Sequence, residues 1–80
     1  MTTLETQKLR KQLDLLNQPQ EKAVIRFQND WSVIATTYIS GYLSVKVESP
    51  DFTRWDFGVF ELGTAEIDDA FEQLLNFFNN

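Results

Sequence analysis

The sequence predicts an α+β fold: an N-terminal helix, an antiparallel meander of three to four strands and a C-terminal amphipathic helix, with both helices packed on one sheet face. Three observations predict it. Residues 3–16 are rich in Gln, Lys, Arg and Leu, which are good helix formers. Residues 22–61 break into short runs of β-branched and aromatic residues divided by turn signals. Residues 65–78 repeat their apolar positions at the helical period. At 80 residues, the chain 1–80 is expected to form a single small domain.

The first helix is expected from about Thr3 to Leu16. Thr2 and Glu5 have capping-box spacing, and Asn17 and Pro19 supply stop signals. Leu9, Leu13 and Leu16 form one narrow stripe at i, i+4, i+7. Leu4 and Leu15 project almost opposite it, beside Lys8 and Lys11. That second set reads either as ordinary surface leucines or as a contact with a partner subunit.

Four strand segments follow. Lys22–Gln28 alternates Ala23, Ile25 and Phe27 against Val24 and Arg26, and Asn29-Asp30 marks a turn. Trp31–Ile39 is rich in β-branched and aromatic residues, and Ser40-Gly41 reads as a tight hairpin connection. Tyr42–Glu48 places Leu43, Val45 and Val47 on one side, with Ser44, Lys46 and Glu48 on the other. Ser49-Pro50-Asp51 is a turn, because Pro fixes φ and Asp bonds to nearby backbone. Thr53–Glu61 is expected to carry Trp55, Phe57 and Val59 on one side, and Gly58 marks a bulge or a close backbone approach. Asp56 and Glu61, five apart, are then expected on opposite faces.

Thr64 is the expected N-cap of the last helix, with Glu66, Asp68 and Asp69 near its positive end. Ile67, Ala70, Phe71, Leu74, Leu75, Phe77 and Phe78 occupy an arc of about 160°. Glu66, Asp68, Asp69 and Glu72 lie on the other arc.

Composition narrows the chemistry. With no His and no Cys, the chain lacks an imidazole base, a thiol nucleophile and the usual zinc ligands. Asp68 and Asp69 diverge on their helix, and Glu48 and Asp51 flank a proline turn, so no carboxylate pair is preset for catalysis. No calcium-loop pattern, phosphate-cradling glycine loop or G-x-S-x-G elbow is present. The protein is therefore not expected to be an enzyme or to take a cofactor, a metal or a small molecule.

Charge and aromatics are unevenly distributed. Residues 1–26 hold five basic groups against three acidic ones, while residues 27–80 hold two against nine. All eleven aromatics fall in the second stretch, where Trp31, Trp55 and Phe57 are expected in the core. Helix, three strands, helix is the element order of double-stranded RNA-binding domains. Those place cations at the start of the second helix, where this chain has Glu66, Asp68 and Asp69. With a net charge of −5, nucleic acid is not an expected partner. No membrane span or signal peptide is visible, so a cytoplasmic location is expected.

These exclusions leave contact with other proteins. The expected function is that of a small interaction or regulatory module that self-associates as a homodimer. The alternative is an acidic inhibitor, of the phage or immunity type, that docks on a basic nucleic-acid-binding surface. Glu66, Asp68, Asp69 and Glu72 are the candidate residues for the second function. Ile34 and Tyr38, with Val24 and Phe60, are candidates for an open sheet face.

Overall fold

The computed structural model describes residues 2–16, 22–27 and 29–79. Asn17, Pro19 and Gln28, which carried sequence expectations, lie outside the described residues.

Helix α1 (Thr3–Leu15) begins at a complete capping box. The Thr2 hydroxyl accepts from the Glu5 amide at 3.1 Å, and Glu5 Oε1 accepts from the Thr2 amide at 3.1 Å. Strands β1 (Lys22–Arg26), β2 (Ser32–Thr37), β3 (Tyr42–Glu48) and β4 (Arg54–Glu61) follow, then helix α2 (Glu66–Asn79). The strands form one antiparallel sheet in the order β1-β2-β3-β4, a meander. Thr64 caps α2, its hydroxyl accepting from the Glu66 amide at 3.2 Å and donating to the Glu61 carbonyl at 2.8 Å.

One loop geometry makes all three hairpins. In each, the first residue's carbonyl accepts from the amide three positions on, and its amide donates to the carbonyl four positions on. The pairs are Phe27 with Asp30 and Trp31, Tyr38 with Gly41 and Tyr42, and Ser49 with Phe52 and Thr53. Asp30, Gly41 and Phe52 stand at the same place in their loops, with φ of 66°, 86° and 67°. This is the three-residue hairpin that needs a left-handed residue in third position. It recurs every eleven residues, which makes the three inter-strand connections equivalent.

The core lies between one sheet face and the two helices. Its most deeply buried side chains are Leu9, Leu13, Ile25, Leu43, Leu74, Val33, Val45, Val47 and Thr37. The innermost layer is therefore aliphatic apart from Thr37. The aromatics do not build it as expected: Trp31, Phe57, Phe71, Phe77 and Phe78 pack around its edge, half-buried. Phe27 and Phe60 are buried, while Tyr38, Tyr42, Phe52 and Trp55 are exposed.

Strand β4 departs from the expected alternation. Val45 stands opposite Gly58 and the next residue, Lys46, opposite Asp56, so Phe57 is an extra residue in a β-bulge. Gly58 has φ of 94°, and its amide donates to Asp56 Oδ1 at 2.8 Å. The bulge shifts the parity of every later residue. Val59, expected beside Trp55, is 60% exposed opposite Ser44, and Phe60, expected on the open face, is 6% exposed opposite Leu43. Asp56 and Glu61, expected on opposite faces, share the helix-free one, opposite Lys46 and Tyr42.

Candidate functional site

The residues singled out in the sequence fall into two sets on opposite sides of the molecule. Ile34 and Tyr38 belong to the sheet face that neither helix covers. Glu66, Asp68, Asp69 and Glu72 belong to the helix layer.

Strand alternation builds the open face, and register aligns it in rows. At one end, Arg26, Ser32, Glu48 and Arg54 run across the four strands, followed by Val24, Ile34, Lys46 and Asp56. Next come Lys22, Thr36, Ser44 and Val59, and then Tyr38, Tyr42 and Glu61. The charges concentrate in the first two rows, where Arg54 Nε bonds Glu48 Oε2 at 2.6 Å and Lys46 stands opposite Asp56. Both cations of the strand region beyond residue 26 thus face an acid. Val24 and Ile34 of the second row lie next to Val59, Tyr38 and Tyr42 of the following two, around the small residues Thr36 and Ser44, with Lys22 and Glu61 on the two edge strands. Ser44 is 8% exposed although no helix lies over it, because its larger neighbours shield it.

Tyr42 and Val59 were missed as members of this cluster. Tyr42 shares the parity of Ser44 and Lys46, so the strand pattern already contained its placement. Val59 was hidden by the bulge.

The acidic set does not act as a unit. Asp68 leans toward α1, where Arg10 Nη2 reaches its Oδ1 at 2.7 Å. The same guanidinium bonds Asp14 and lies 5.3 Å from the centre of the Phe71 ring. Its pKa is raised, chiefly by the bond to Asp68, with Asp14 adding to the effect. Glu66 is half-buried, and Asp69 and Glu72 are exposed and make no ion pair among the described residues. Among the described residues, no three acids converge into a group that could hold a metal ion.

A third feature was not singled out by charge counting. An open groove of about 550 Å³ runs beside α1, lined by Leu4, Gln7, Lys8, Lys11, Gln12 and Arg26. Glu5 also lines it, but its side chain is committed to the capping box. Lys8, Lys11 and Arg26 make no ion pair among the described residues.

Aromatic rings close one end of the sheet–helix sandwich. Trp31 and Trp55 stack at 5.4 Å and 22°, and Phe77 meets Trp31, Trp55, Phe57 and Phe78 at 5.2–5.9 Å. The rings pack against one another in stacked, tilted and edge-to-face pairs. Among the described residues, no helix is long and apolar enough to cross a membrane. No protein-family model, curated protein or solved structure matches the chain.

Proposed function

We propose that this chain is a small, non-catalytic cytoplasmic interaction module that pairs with a second copy of itself through the uncovered sheet face. One observation carries it: Val24, Ile34, Tyr38, Tyr42 and Val59 gather on a face that no helix covers. A mixed apolar–hydroxyl surface of this kind suits protein contact, because tyrosines pair a large apolar ring with a polar tip. The flanking Arg54–Glu48 pair and the Lys46/Asp56 juxtaposition give the face a polar rim that sets register. No cofactor, small molecule or nucleic acid is part of this function.

Sedimentation equilibrium tests it. Self-association is expected at high micromolar concentration, weakened by Ile34→Lys or Tyr38→Lys with the circular dichroism spectrum unchanged. A wild-type monomer under those conditions would sink it.

The alternative, an acidic inhibitor of a basic nucleic-acid-binding surface, draws support from exposed Asp69 and Glu72. It is weakened by Asp68, whose carboxylate is engaged by Arg10. Charge reversal at Asp68, Asp69 and Glu72 separates the two functions. Loss of partner binding with intact folding favours the inhibitor, and loss only on changing Ile34 or Tyr38 favours the sheet face.

A further inference from the structure

Helix α1 carries two stripes. Leu9 and Leu13, with Leu16 just beyond the last turn, face the core. Leu4, Lys8, Lys11 and Leu15 follow one another at i, i+4, i+7, i+11 on the other side, within an arc of about 60°. All four are exposed, Leu4 by 76%. A hydrophobic pair bracketing two lysines, beside a groove whose wall adds Arg26, is shaped to receive another helix.

Helix α2 offers the complement. Ile67, Ala70 and Leu74 are buried, so Asp69, Glu72 and Asn76 stand on the solvent side. Asp69 and Glu72 are spaced i, i+3, the same spacing as Lys8 and Lys11, so each pair spans about 4.5 Å of helix axis. Laid antiparallel, the two helices bring Lys8 opposite Glu72 and Lys11 opposite Asp69. Leu15 then falls beside Ala65 and Leu4 beside Asn76. The opposed helix dipoles favour this direction.

We infer that the α1 groove takes the acidic face of α2 from a second copy of this chain. It rests on the self-association reading only in that the partner is the same protein, and it uses none of the apolar sheet-face residues Val24, Ile34, Tyr38, Tyr42 and Val59. A symmetric α1–α1 contact is disfavoured, since it would bring four lysines into one seam. Across a two-fold axis the contact is made twice, each α1 meeting the other copy's α2, and the pair closes as a dimer; without that axis each copy keeps one free groove and one free acidic face and association continues. Exposed ion pairs are weak and screened by salt, so the contact forms at high concentration and low ionic strength.

Sedimentation in low salt and in about 1 M salt, where screening acts within about 3 Å, tests this. The wild-type average mass is expected to rise above the monomer in low salt and to fall in high salt. Lys8→Glu/Lys11→Glu and Asp69→Lys/Glu72→Lys are each expected to weaken the salt-sensitive step about tenfold or more. Mixing the two variants in equal amounts is expected to restore it, because each then meets its opposite charge. The same measurements in an Ile34→Lys background keep the sheet face out of the result. Association that is insensitive to both reversals, or failure of the mixture to recover, would overturn the α1–α2 contact. Loss of association in high salt on Ile34→Lys judges the sheet face separately.

Discussion

The guanidinium of Arg10 lies 2.7 Å from the carboxylate of Asp68, joining the middle of α1 to the first turn of α2. The two helices are 51 residues apart in sequence from the end of α1 to the start of α2, and both must lie on the same sheet face for this bond to form. Arg10 adds a bond to Asp14 and a contact with Phe71, so a half-exposed side chain performs three functions at the helix seam.

Arg10→Ala is expected to destabilise the protein by about 1 kcal/mol, the sum of a partly exposed ion pair and a surface cation–π contact. Chemical denaturation measures it. The loss should shrink in high salt for the ionic part but persist for the contact with Phe71.

The two stripes of α1 should separate sharply under truncation. Leu9→Ala removes a fully buried side chain and is expected to cost about 2–5 kcal/mol. Leu4→Ala removes an exposed one and is expected to change stability by less than about 0.5 kcal/mol. Thermal unfolding of the two variants side by side checks the assignment.

Gly58→Ala tests the bulge. An added Cβ meets no atom within 4 Å, so the cost comes from backbone conformation alone. At φ of 94° it is expected to be about 1–2 kcal/mol. A cost near zero would mean that β4 relaxes into a regular ladder, and amide exchange at Val59 and Phe60 would then change.

Phe52 occupies the left-handed loop position that Asp30 and Gly41 fill in the other two hairpins. Asn and Gly tolerate that conformation, whereas Phe is strained there, and this Phe is 80% exposed. Phe52→Asn is therefore expected to raise stability by up to about 1 kcal/mol in thermal unfolding. If Phe52 contributes to a protein contact, the more stable variant should also self-associate less.

The β3–β4 turn predicts a pH effect. Asp51 accepts from the Ser49 hydroxyl and from the Thr53 amide, and these bonds hold its carboxyl below the ordinary value, the Ser49 bond most of all. A depressed carboxylate pKa stabilises the folded turn above the ordinary value of about 4, and that contribution is lost as pH falls through the folded value. A carbon-13 titration of Asp51 should show the depressed midpoint, and Ser49→Ala should move it upward.

Much of this architecture was legible in local pattern. The capping box at Thr2 and Glu5, the Thr64 cap and the buried stripes of both helices each depend on residues within one or two turns. The alternation of β3 was equally plain, because Tyr42–Glu48 keeps one parity throughout. The candidate surfaces were less legible. Ile34 and Tyr38 were visible by parity, but Val59 and Phe60 exchanged faces at a one-residue bulge, and Asp68 was claimed by a cation from the other helix.

By itself, the sequence determined the order of elements, their caps, their apolar faces and the absence of imidazole and thiol chemistry, since all of these follow from composition and short-range periodicity. Tertiary structure alone decided which strand residues follow the bulge to which face and that the core is aliphatic with aromatics at its margin. The physical reason is that parity is relative: one extra residue inverts every later side chain. Burial, likewise, belongs to the pair of surfaces that meet, and α1 and α2 meet the same one.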